Sequence, residues 1–75
     1  MSKYLEFNII EQKSKTKIIA VDSKLHGNTL GIIKWYGAWR QYAFYPKHGT
    51  LFNIECLNDI TNKIKELMNE RRIKK

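Results

Sequence analysis

The sequence predicts an α+β domain, a four-stranded antiparallel sheet of two hairpins with one C-terminal helix packed on one face. Three observations carry this. Residues 4–11 alternate Leu5, Phe7 and Ile9 with Glu6, Asn8 and Ile10, the two-residue period of a half-buried strand. Two aromatic-rich runs in Leu30 to Pro46 flank Gly37-Ala38, a Gly-X link suited to a type II′ hairpin turn. Leu57, Ile60, Ile64 and Leu67 recur at steps of three, four and three, the period of one helical face, with Met68 beside them.

In chain order, the polar Gln12 to Lys15 can turn the first strand into a second, Thr16 to Asp22, whose Ile18-Ile19-Ala20-Val21 run suits a strand flanked on both sides. His26-Gly27-Asn28 then signals a loop, and the central hairpin follows. Pro46 cannot donate to a ladder and ends the fourth strand, and Lys47-His48-Gly49 forms a second loop. Asn53 stands at the N-cap position of a helix starting near residue 54, with Phe52 and Leu57 at hydrophobic-staple spacing. Glu55 and Asp59 lie near the positive end of its dipole and Arg71, Arg72, Lys74 and Lys75 near the negative end. The last five residues are expected to fray. With no linker or repeat, residues 1–75 read as a single β-β-β-β-α domain.

A chain of 75 residues buries only roughly 60% of its unfolded surface, so the core is thin and a homodimer or another partner can complete it. The lone Cys56 and unpaired histidines argue against disulfides and a zinc site, and a reducing cytoplasm is expected. The chain has neither a signal-peptide core nor an 18-residue apolar run, so no membrane partner is expected.

Fourteen Lys and Arg against seven acids leave a net charge of +7, which favours a polyanionic partner. Between Asp22 and Glu55 no carboxylate occurs, while Lys24, Lys34, Arg40, Lys47 and seven of the nine aromatics fall there. An anion would thus meet only positive and aromatic groups in this stretch.

A strict two-residue turn at Gly37-Ala38 would pair Tyr36 with Trp39, Lys34 with Gln41, Ile32 with Ala43 and Leu30 with Tyr45 on one face. The other face would hold Trp35 opposite Arg40 and Ile33 opposite Tyr42, with Phe44 beyond. The second set is the more apolar away from the turn. Ile33, Trp35, Tyr42 and Phe44 are therefore assigned to the helix side, and Lys34, Tyr36, Trp39, Gln41 and Tyr45 to the open side. A one-residue slip would exchange the faces. Hairpin aromatics commonly pack on one another, but one helix cannot cover aromatics on both faces. Exposed Trp and Tyr among Lys, Arg and Gln suit single-stranded nucleic acid, with bases on rings and cations on phosphates. Trp39, Tyr36 and Tyr45 are the candidate stacking residues, Lys34, Arg40 and Lys47 the phosphate contacts, and Gln41 a base-edge contact. The same mixture describes a protein hot spot, so a host or phage protein is the alternative partner.

The run from Gly31 to Tyr42, with its Trp35-Tyr36-Gly37-Ala38-Trp39-Arg40-Gln41-Tyr42 core, followed by Phe44-Tyr45-Pro46, Phe52-Asn53 and Cys56-Leu57, resembles small proteins encoded by bacteriophages and prophages. That resemblance covers about two thirds of the chain and implies a phage protein inside a bacterial host cell, without implying an activity. Gly49 to Glu55 and Leu57 are also similar to the helix entry of the positive-cofactor-four and whirly single-stranded-DNA-binding domains, which run β-β-β-β-α, dimerise through the helix and bind strands across the sheet. This likeness covers about ten residues and the element order, and the binding residues of those domains have no matching positions here.

Sites for chemistry are sparse. His26 and His48 sit beside glycines in loops without an oriented acid partner. Cys56 falls in the first helical turn, where a thiol can be activated, although a buried cysteine is the commoner outcome. Glu6, Glu11 and Asp22 are too scattered for a metal-dependent nuclease, and the glycines form no phosphate loop. The expectation is a binding protein with no cofactor and no enzymatic activity.

Overall fold

A computed structural model describes residues 4–73 and has the expected order: β1 (Leu5–Gln12), β2 (Lys17–Ser23), β3 (Thr29–Tyr36), β4 (Gln41–Pro46) and α1 (Ile54–Ile73). The strands form one antiparallel sheet in the order β1-β2-β3-β4. The helix covers one face. Against the fraying expected over residues 71–75, α1 stays helical through Ile73, and Lys74 and Lys75 lie outside the described residues.

Alternation along each strand sends Leu5, Ile19, Val21, Ile33 and Tyr42 to the helix side, where they are buried with Cys56, Ile60 and Leu67 of α1. Phe7, Trp35, Phe44, Phe52, Ile64 and Met68 pack around this cluster. The buried Tyr42 keeps its polar tip satisfied, because its hydroxyl accepts the Lys17 N–H at 3.1 Å, while the Trp35 ring meets it edge-on at 5.5 Å. Lys17 also donates to Glu70 at 2.8 Å, tying the start of β2 to the late turns of α1. That hydrogen bond holds the Lys17 ammonium pKa above its ordinary value, against an opposing desolvation effect.

The Asn53 side-chain oxygen accepts the Cys56 N–H at 2.9 Å, the cap expected from its position. The staple takes another form. The Phe52 ring is engaged edge-on with Phe44 at 5.2 Å, Leu57 is left 48% exposed, and Cys56 is the residue that the first turn buries.

The central hairpin departs from a two-residue turn. Tyr36 pairs with Gln41, Trp35 with Tyr42, Lys34 with Ala43 and Ile33 with Phe44, which leaves Gly37 to Arg40 as a four-residue loop. Two overlapping turns build it, the Trp39 N–H reaching the Tyr36 carbonyl and the Arg40 N–H that of Gly37, both at 3.2 Å. Arg40, at φ 53°, supplies the left-handed residue that Gly37 was expected to supply. The reason is physical: a two-residue turn would set Arg40 opposite Trp35 on the helix side, whereas the longer loop puts the guanidinium in water and gives Trp35 an aromatic partner. The register moves by two residues, an even step, so the assigned faces survive.

Two irregularities also re-aim side chains. An extra residue at Ile10 interrupts the pairing of β1 with β2, and another at Leu30 that of β2 with β3. Leu30, expected beside Tyr45 on the open face, instead packs against the core. Its neighbour Gly31 is buried beneath Phe44: a Cβ there would lie 2.6 Å from the Tyr45 carbonyl oxygen and 2.8 Å from two carbons of the Phe44 ring.

Candidate nucleic-acid interface

Alternation places Lys34, Tyr36, Gln41 and Tyr45 on the helix-free face, as expected, with Ile32 and Ala43 between them. The Lys34 ammonium lies 5.2 Å from the centre of the Tyr45 ring, a cation–π contact across the diagonal of the β3–β4 pair. Trp39 and Arg40 belong to the loop at the tip. Trp39 is 65% exposed and meets Tyr36 edge-on at 4.8 Å and 81°, so its indole is held in place while most of it faces water. Lys47 is not brought to this group. It follows β4 at the opposite end of the strand, ~20 Å from the tip by strand rise, and its N–H donates to the Leu30 carbonyl.

The stretch without acids in the sequence is not a surface without acids. Pairing of β1 with β2 and of β2 with β3 brings Glu6, Glu11 and Asp22 onto the same helix-free face. Asp22 is held there by Asn8 and Thr29, whose side chains donate to its two oxygens at 2.8 and 2.7 Å. The sheet face is therefore mixed in charge, and the hairpin tip is the part with exposed aromatic and cationic groups together.

Other candidates resolve simply. Cys56 is buried. His26 and His48 are exposed in loops, and the His26 backbone N–H donates to the Ser23 hydroxyl at 3.1 Å as part of a turn. Among the described residues no three His, Cys, Asp or Glu side chains converge, and no helix is long and apolar enough to cross a membrane.

A feature that strand and helix periodicity does not reveal lies at the end opposite the hairpin tip. Leu25 and Leu51, in separate loops, are 82% and 94% exposed, and they flank an open groove of about 520 Å³ floored by Leu30 and Cys56. Leu25 stands between Lys24 and His26 and Leu51 between Thr50 and Phe52, far apart in sequence and outside any strand or helix period, so only the fold shows that they share a site.

Arg40 carries a testable strain. The left-handed region costs an L-residue ~1–2 kcal/mol, and glycine returns ~0.5–1 of that as freedom in the unfolded chain. Arg40→Gly is thus expected to stabilise the domain by ~0.5–1 kcal/mol, a rise in melting temperature of about 2–8 °C by circular dichroism. A lower melting temperature would show that the arginine side chain makes a stabilising contact larger than the strain.

The geometry defines a small meander-and-helix domain with an aromatic, basic hairpin tip. Over 72 residues the chain is 39% identical to the "Uncharacterized 9.3 kDa protein" of Acholeplasma phage L2, a match that spans 95% of this chain and 92% of that one. The chain belongs to the same family as this phage-encoded protein. No protein-family model matches it, and no solved structure does.

Proposed function

We propose that this phage-type protein binds single-stranded DNA or RNA, without catalysis, through its β3–β4 hairpin. The observation that carries this reading is Trp39, an indole mostly in water, buttressed by Tyr36 and adjacent to Arg40 in a strained backbone conformation. A base stacks on such a ring while the guanidinium takes a neighbouring phosphate, and strain retained at an exposed loop fits a functional arginine. Gln41, paired with Tyr36 at the end of the strands, extends this surface to the rim of the sheet, and Lys34 and Tyr45 lie farther along the helix-free face. The net charge of +7 supplies long-range attraction.

Titration with a short oligonucleotide at low salt is expected to quench tryptophan emission, with an affinity that falls as salt rises because counterions are released. Absence of any quench or mobility change at low salt would reject the reading. The second reading, a protein partner, is favoured by the exposed leucines around the groove at the other end. A stoichiometric protein retained from nuclease-treated host lysate would support it over nucleic acid.

A further inference from the structure

We infer that the nucleic acid is gripped across the end of the sheet, by the β1–β2 and β3–β4 turns together, and does not lie along the helix-free face. This rests on the nucleic-acid reading above and specifies where the strand runs. In a meander the first and third turns lie at the same end, and here they carry residues 13–16 and Gly37 to Arg40. Two strand spacings separate them, ~10 Å, which is about one Debye length at 0.1 M salt, so their charges act on one ligand.

The first turn carries Lys13 and Lys15, both exposed, and is closed by the Lys13 N–H donating to the Thr16 carbonyl at 2.7 Å. With Arg40 they make three exposed cations at the end of the sheet that also carries the indole of Trp39. The carboxylates toward this end are Glu70, bonded to Lys17, Glu66, bonded to Lys63, and Glu11, next to the turn at the end of β1. The sheet face is less favourable to an anion. A strand along it would pass Glu6 and Asp22 in addition to Glu11, and Lys34 on that face already sits against the Tyr45 ring. A phosphate chain crossing the two turns meets Lys13 and Lys15 on one turn and Arg40 on the other, with a base on Trp39 beside Arg40.

The test is the salt dependence of binding to a fluorescently labelled oligothymidine, measured by anisotropy on the whole chain and on Lys13→Ala/Lys15→Ala. Both lysines are exposed turn residues, and circular dichroism establishes that the variant is folded. Each phosphate contact on a single strand contributes about 0.7 to the slope of log affinity against log salt, so losing two should flatten the slope by about 1.4. Lys24→Ala, a cation in the loop at the opposite end, should leave the slope unchanged. An unchanged slope in the double variant, or an equal loss in Lys24→Ala, overturns this placement while the nucleic-acid reading stands. If the unaltered chain does not bind at low salt, that reading fails and the placement with it.

Discussion

Gly31→Val is expected to destabilise the domain by ~3 kcal/mol, against a total of ~4–11 kcal/mol for a chain of this size. Local preference argues the other way. A glycine inside a strand costs ~0.5–1 kcal/mol relative to alanine, and valine is a better strand former still, so a reading of β3 from propensity alone would forecast stabilisation. Packing decides the sign. The first added carbon would sit 2.6 Å from the Tyr45 carbonyl, which belongs to the backbone of β4, and 2.8 Å from the Phe44 ring, which Phe52 meets edge-on. Neither obstacle can move without loss. Urea denaturation should show a lower midpoint with an unchanged slope. Gly31→Ala should show a smaller loss, and Phe44→Leu should recover part of it in the double variant, since the two sites share one space. A midpoint raised by alanine would mean that β4 moves away at little cost.

Trp39→Ala is expected to weaken oligonucleotide binding roughly 5- to 150-fold, the ~1–3 kcal/mol typical of one base stacked on a ring. The fold should be nearly untouched, because the ring is 65% exposed and the contact it loses is the edge of Tyr36. Trp35 remains as an emitter, packed against the core and meeting Tyr42, so the binding loss is best read by anisotropy of a labelled strand, with melting by circular dichroism as the control for stability. Trp39→Phe should keep much of the affinity because it keeps a flat face. Equal affinity for Trp39→Ala and the unaltered chain would remove the tip from the interface and leave the protein-partner reading as the stronger one.

The element order and the helix entry were legible because their signals are local: alternation in β1, the apolar run of β2, the three-four-three spacing in α1 and the Asn53 cap each depend on a few adjacent residues. The hairpin loop was only half legible. Gly37 looked like the residue that would take positive φ, but turn length is decided by what the strands gain on pairing, and pairing Trp35 with Tyr42 outweighs the left-handed strain at Arg40. Face assignment survived because side chains alternate with a period of two and the register moved by two. Leu30 was misplaced because a bulge breaks that period, although a lone glycine beside it in a strand was an available sign. The bulge at Ile10 has no such marker. Most consequential for the site, the acid-free stretch was a property of one segment, while a surface is assembled from several. Glu6, Glu11 and Asp22 arrive on it from β1 and β2, and no count along the chain could foresee that.

The order of elements along the chain also sets an order of assembly. Every neighbour in the sheet is a neighbour in sequence, so each hairpin closes over a short loop and the meander can form early and fast. The helix comes last. Until residues 54–73 have been made and have docked, Leu5, Ile19, Val21, Ile33 and Tyr42 form an uncovered apolar sheet face, the kind of surface that recruits other copies. The helix therefore does more than complete the core: its docking ends the interval in which a nascent chain is vulnerable to aggregation, and a copy interrupted before it would be a sticky sheet and not a smaller domain.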